Sequence, residues 1–274
     1  MSGQSSAPPA QTSSAPPARH AVITGSTSGI GWGLARAFAA EGYDITLNGI
    51  ADAATVEKLI TELRSEFKVQ AWFSNANMMK PVEIRAMITE AEGHNPQLDV
   101  LVNNAGIQHV AGLEEFPEEK WDAIIAINMS STFHATKAVV PGMKKRGHGR
   151  IINIASVHGL VASPFKSAYV AAKHGVLGFT KSIALELAET PLTINAICPG
   201  YVRTPLVEGQ IEQQAVAHGI SKEKVIRDVI LAAQPKKEFI EIEHLAALAL
   251  FLAGPAGRAV TGSAMTMDGG WTAR

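Results

Sequence analysis

The stretch Ala21 to Gly31, A-V-I-T-G-S-T-S-G-I-G, decides how the chain is read. A short β-branched apolar run breaks into a loop with glycines at Gly25, Gly29 and Gly31, and a helical pattern follows from Ile30 to Ala40. The spacing G-x-x-x-G-x-G differs from the general dinucleotide fingerprint G-x-G-x-x-G. The physics is shared. Residues without Cβ let the backbone turn tightly and approach a pyrophosphate, whose charge is held by N–H groups at the start of the next helix. A plain strand-to-helix turn would use the same residues, but the strand before and the helix after favour a phosphate loop. Gly25, Thr27, Gly29, Ile30 and Gly31 are therefore expected to touch a dinucleotide.

Outward from this loop the same alternation recurs. Strand-like runs begin at Asp44, Val69, Asp99, Arg150, Thr193 and Ala264, and segments such as Ala53 to Phe67, Glu118 to Lys145 and Ser167 to Leu187 are long enough for crossover helices. Near-continuous apolar strands indicate a sheet covered on both faces. The expectation is an α/β fold, a single Rossmann-type doubly wound parallel sheet of about seven strands with helices on both faces, and a ligand site at the carboxyl ends of the strands. Residues 1–19, with S-S-A-P-P-A at Ser5 to Ala10 and again at Ser13 to Ala18, have nothing to bury and read as a disordered tail or expression remnant. Residues 20–274 are the expected domain. Within it, 204–237 alternates apolar and polar residues at helical spacing, which suits either a substrate lid or a packed helical pair.

Bulk properties exclude several classes. The chain is 46% hydrophobic and 18% charged with a formal net charge of −1, so no basic stripe invites nucleic acid or anionic lipid. No apolar run approaches the roughly 18 to 20 residues that span a bilayer. The single Cys198 rules out an internal disulfide framework, and the sequence points to a reducing, cytoplasmic setting with no metal site.

At the end of the second strand, where an acid usually binds the adenosine ribose of NAD, stand Asn48, Gly49 and Ile50. The acid is missing, yet so is any Arg or Lys that would bind the 2′-phosphate of NADP. The reading is NAD. Tyr169 and Lys173, four apart in S-A-Y-V-A-A-K-H-G, would share one helix face, and an ammonium beside the phenol is expected to lower its pKa toward the working range. Ser156 ends the fifth strand, where its hydroxyl can donate to a substrate oxygen on which charge develops. In isolation such a Tyr and Lys would more often be a surface pair.

Together T-G-S-T-S-G-I-G, N-N-A-G at Asn103 to Gly106, Asn128 in A-I-N-M, Ser156, Y-V-A-A-K and C-P-G at Cys198 resemble the short-chain dehydrogenase/reductase family, over His20 to Arg274. The resemblance implies a homotetramer with Tyr169 as acid/base, Lys173 also bonding the nicotinamide ribose, Ser156 orienting the substrate oxygen and Asn128 supporting a proton-relay water. It also implies that Asn77, Asn103, Ala105, Gly106, Pro199, Gly200, Val202 and Thr204 contact the cofactor.

Gln108, His109, His158, Lys166 and Gln210 fall in segments expected to face the substrate, and several are donors that suit a carboxylate. The strings N-N-A-G-I-Q-H-V, S-V-H-G-L-V-A-S-P-F-K, V-R-T-P-L-V and D-G-G-W-T-A-R resemble more narrowly the branch of the family that interconverts (R)-3-hydroxybutyrate and acetoacetate. That likeness implies that Gln108, His158, Lys166 and Gln210 hold the carboxylate of a small anionic hydroxy acid. Tyr201, where that branch usually carries Trp, and Asn77, where it carries an acid, depart from the pattern. Another short 3-hydroxy acid, or a neutral or CoA-linked ketone, is the alternative substrate; a cofactor-binding regulator without turnover is the alternative of a different class.

Overall fold

The computed structural model describes residues 18–204, 207, 208, 211, 212, 215 and 219–273. Seven parallel strands form one sheet in the order β3-β2-β1-β4-β5-β6-β7. They are β1 (His20–Ile23), β2 (Asp44–Asn48), β3 (Ala71–Ser74), β4 (Leu98–Asn103), β5 (Gly149–Ile154), β6 (Leu192–Pro199) and β7 (Ala264–Met267). The order reverses between β1 and β4, and a doubly wound sheet opens a crevice at that point. The longer helices among the described residues are α1 (Gly29–Ala40), α2 (Ala53–Phe67), α3 (Pro81–His94), α4 (Glu118–Ile125), α5 (Ser131–Arg146), α6 (Ser167–Glu186) and α7 (Ile242–Ala253).

Strand alternation explains the two layers. Ala21 and Ile23 of β1, with Val100, Val102, Ile152 and Ile154, pack beneath Leu34 and Phe38 of α1, Leu63 of α2 and Leu245 of α7. Val22, Leu101, Ile151 and Ile194 point the other way, against Ile84 and Met87 of α3 and Val139 and Met143 of α5. Each large aliphatic buried in this way contributes about 1.5–3 kcal/mol relative to exposure. Packing begins before the expected boundary: the Arg19 guanidinium lies 4.0 Å over the Tyr43 ring and donates to the Glu41 carbonyl at 2.6 Å. The segment read as one helix from Glu118 is interrupted by a π-helical turn, Ala126–Ser130, between α4 and α5. Such turns widen a helix by one residue and often sit at functional sites.

Candidate active site

A cavity of about 910 Å³ opens along the carboxyl ends of the strands, from Ile50 and Asn77 at one end to Tyr201 and Trp271 at the other. At its centre the β1–α1 loop behaves as its glycines require. Gly25 has φ +61°, and a Cβ there would lie 2.8 Å from the Ala105 Cα; one on Gly31 would collide with the Gly25 carbonyl oxygen. The neighbouring Asn104 braces the loop from β4, its amide donating to the Thr24 and Gly25 carbonyls at 2.9 Å each. Ser28, the residue before α1, makes no side-chain cap, and the first turn of the helix carries no acid. The N–H groups and positive dipole end of α1 thus face the cavity uncapped, an arrangement suited to a pyrophosphate.

At the β2 end, Asn48 is fully buried and its side chain is spent on the protein. Its Oδ1 accepts from Gly25 N at 3.3 Å and its Nδ2 donates to the Ser74 and Ala76 carbonyls at 3.1 and 3.0 Å. Asn77 lines the cavity, with its Oδ1 accepting from Met79 N at 2.9 Å, so its amide NH2 remains for a ligand. Ile50 is fully exposed at the rim. Thr27, Gly29, Ile30, Ala105, Gly106, Pro199, Gly200, Val202 and Thr204 also line the cavity.

Ser156, Tyr169 and Lys173 are brought together on one wall. Ser156 caps the turn Val157–Gly159, its Oγ accepting from His158 N at 3.1 Å. Lys173, only 4% exposed, donates from Nζ to the Ile154 carbonyl at 2.7 Å and lies 5.6 Å from the centre of the Tyr169 ring. Burial lowers the Lys173 pKa to about 8, opposed by Cys198. The expectation that Lys173 would lower the Tyr169 pKa is not met in the chain alone. Burial raises it above its ordinary value, a side-chain hydrogen bond with Ser156 opposing, because a phenolate loses more on desolvation than a neutral phenol.

Of two further residues, Asn103 stands elsewhere than expected and Asn128 lies behind the wall. Asn103 is not a cavity residue: its amide donates across to Asn153 Oδ1 at 2.9 Å, and Asn153 in turn donates to Thr180 Oγ1 at 2.9 Å, a buried chain joining β4, β5 and α6. Asn128, in the π-helical turn, is likewise behind the wall. Its Oδ1 accepts from Ile107 N at 2.8 Å and its Nδ2 donates to Ile107 O at 2.9 Å, so the side chain holds the loop carrying Gly106 and Gln108.

The far end of the cavity is a different environment. His158 is buried, its Nε2 has no hydrogen-bond partner among the described residues, and burial, with help from Lys166 and His174, pushes its pKa down to about 4. The imidazole is neutral at physiological pH. Trp271 packs edge-on against it at 5.4 Å and stacks on Tyr201 at 5.8 Å, while the Lys166 ammonium lies 5.9 Å from the Tyr201 ring. Gln108 is an exposed lining residue; His109 turns away, packing against Phe116 at 5.4 Å. Gln210 lies outside the described residues.

The short chain dehydrogenase family matches residues 19–215. The chain belongs to that family. Two relatives are D-beta-hydroxybutyrate dehydrogenases. That of Rhizobium meliloti is 53% identical over 93% of this chain and 98% of its own, and that of Cupriavidus necator is 52% identical with the same coverage. Among solved structures, a variant of actinorhodin polyketide ketoreductase with NADPH superposes with TM-score 0.85 at 34% identity, covering 93% of this chain and 97% of that one. The chain is therefore an oxidoreductase with the doubly wound sheet that its sequence implied.

Within this short-chain dehydrogenase, sequence reasoning missed Trp271 as a wall of the site. Its only signal was the D-G-G-W string near the end of the chain, read as a likeness and not as a position. The described part of 204–237 packs on itself: Ile211, Val225, Ile230 and Leu231 form a small core with Tyr201, Val207 and Phe239 around it, and Val207 reaches the cavity.

Proposed function

We propose that this chain interconverts (R)-3-hydroxybutyrate and acetoacetate with NAD. Lys166 and Lys173 are the only charged side chains among the described residues lining the cavity, no carboxylate opposes them, and the unpartnered His158 Nε2 lies at the same end as Lys166. The Lys166 cation, opposed by no carboxylate, carries the reading, because an unopposed ammonium in a partly buried pocket suits a small carboxylate. The two dehydrogenases more than 50% identical to the chain support it.

The nicotinamide, when bound, supplies the hydride acceptor for the C3 hydrogen. Every other part belongs to the chain. The α1 N-terminus and the β1–α1 loop would hold the pyrophosphate, and Asn77, Ala105, Gly106, Pro199, Gly200, Val202 and Thr204 would flank the rest of the cofactor. NAD is preferred because no Arg or Lys among the lining residues stands near Asn48, Gly49 and Ile50 to meet a 2′-phosphate. Lys166, His158, Gln108 and Gln210 orient the carboxylate, and Ser156 bonds the C3 oxygen. Tyr169 takes the hydroxyl proton during oxidation and returns it during reduction, with Lys173 supplying positive charge beside it. A phenol held above its ordinary pKa favours the proton-donating role, so reduction should dominate at lower pH and oxidation should gain as pH rises. Homotetrameric assembly and a cytoplasmic setting belong to the same proposal.

Absorbance at the reduced-nicotinamide band, with NAD or NADP against both enantiomers of 3-hydroxybutyrate and other short hydroxy acids, tests this. The expected outcome is NAD-linked turnover of the R enantiomer. No turnover of any acid, or turnover of neutral ketones alone, would overturn it in favour of the ketoreductase alternative.

A further inference from the structure

Gln234 lies outside the cavity lining, yet it is fully buried and its amide is used on both sides. Its Oε1 accepts from Tyr201 N at 3.4 Å; its Nε2 donates to the Lys236 and Glu238 carbonyls at 3.1 and 2.5 Å. Space for that amide is made by two glycines. A Cβ on Gly200 would stand 2.6 Å from Gln234 Oε1, and one on Gly269 would stand 2.7 Å from Gln234 Nε2. Gly200 and Tyr201 follow β6, and Gly269 precedes Trp271 in the turn after β7. One side chain is wedged between the two segments that carry the stacked aromatic pair Tyr201 and Trp271.

The surrounding backbone completes the link. Gly200 N donates to the Met267 carbonyl at 3.0 Å, Ile240 N to the Tyr201 carbonyl at 2.9 Å and Lys236 N to the Gly269 carbonyl at 3.0 Å. Asp268 then fixes the turn bearing Trp271, accepting from Gly270 N, Thr272 N and Thr272 Oγ1 at 3.0, 2.9 and 2.6 Å. Trp271 in turn packs against His158.

We infer that Gln234 is a positioning residue for the acid end of the site: its wedged amide sets the distance between the Tyr201 and Trp271 segments and thereby the wall against which His158 and Lys166 meet the substrate. Its kinetic consequence rests on the proposed acid-oxidising function; the placement of Trp271 does not. The wedge's hydrogen bonds reach no residue of the phosphate loop or of the Ser156, Tyr169 and Lys173 group, and it meets the cofactor side only through the space left by Gly200, so its loss should weaken acid binding far more than cofactor binding.

Gln234→Met keeps the volume and removes the hydrogen bonds. It should raise KM for (R)-3-hydroxybutyrate by about tenfold while kcat changes by less than about threefold and the Kd for NAD, from fluorescence titration, by less than about twofold. The difference in emission between wild type and Trp271→Phe isolates the signal of Trp271. The same difference taken in the Gln234→Met background should shift. Gln234→Asn, one methylene shorter, should give the same split at smaller amplitude and serves if the Met variant does not fold. Unchanged acid KM with an unchanged Trp271 signal in either folded variant would overturn the inference, as would loss of acid and NAD binding together in step with lowered Tm. If the wild type oxidises no 3-hydroxy acid, the functional proposal fails, and the Trp271 signal still decides whether Gln234 places that wall.

Discussion

The two ends of the cavity recognise by different means. At the cofactor end two lining amides are already satisfied within the protein, Asn48 on Gly25, Ser74 and Ala76 and Asn104 on Thr24 and Gly25, while the Asn77 NH2 remains for a ligand. What remains for a ligand there is mostly backbone, the uncapped start of α1 and glycine-made space. At the acid end side chains predominate, with the Lys166 ammonium beside the Tyr201 ring and the buried His158 ring packed against Trp271. Backbone recognition tolerates sequence change as long as the path of the chain is kept, whereas side-chain recognition makes substrate choice depend on a handful of residues.

The contrast can be broken from the acid end first. Tyr169→Phe removes the proton carrier without touching the phosphate loop, so kcat should fall by about a thousandfold with the Kd for NAD nearly unchanged. Steady-state kinetics beside a binding titration check this. Comparable losses in both would mean that the two ends are not independent.

A smaller effect concerns pH. Among the described lining residues His158 is the one histidine, and His20 is buried at the amino end of β1, away from the cavity, its Nε2 2.9 Å from Thr46 Oγ1. Burial holds both His158 and His20 down to about 4 from an ordinary 6.5. Between those values the unfolded chain binds protons that the folded chain refuses. The stability from keeping these rings neutral is complete above pH about 6.5 and drains away as pH falls toward 4. His20 alone is worth on the order of 3 kcal/mol by this linkage. Thermal unfolding across this range should show Tm falling with acid, and His20→Gln should flatten that fall.

How much was legible in the sequence follows the same division. The phosphate loop was readable because its chemistry is local: three glycines between a strand and a helix specify a turn and a helix terminus wherever they occur. Tyr169 and Lys173 were readable because a helix fixes the geometry of residues four apart. Asn103 was misplaced because whether an amide faces a cavity or its own protein depends on neighbours far along the chain, here Asn153. The π-helical turn that aims Asn128 has no composition signature of its own. The raised Tyr169 pKa was hidden for a similar reason, since spacing reports the nearby ammonium but not the desolvation that outweighs it. Trp271 and Gln234 escaped because they reach the site through the packing of β6, β7 and the turn before α7, which only the assembled sheet reveals.

The central claim is that the acid end selects an anion. Its most direct test compares kcat/KM for (R)-3-hydroxybutyrate with that for its neutral methyl ester, in the wild type and in Lys166→Ala. The wild type should prefer the acid by about a hundredfold, and the preference should shrink to within about threefold in the variant, as expected for loss of a charge-assisted contact. Equal use of acid and ester by the wild type, or a preference that survives Lys166→Ala intact, would contradict it.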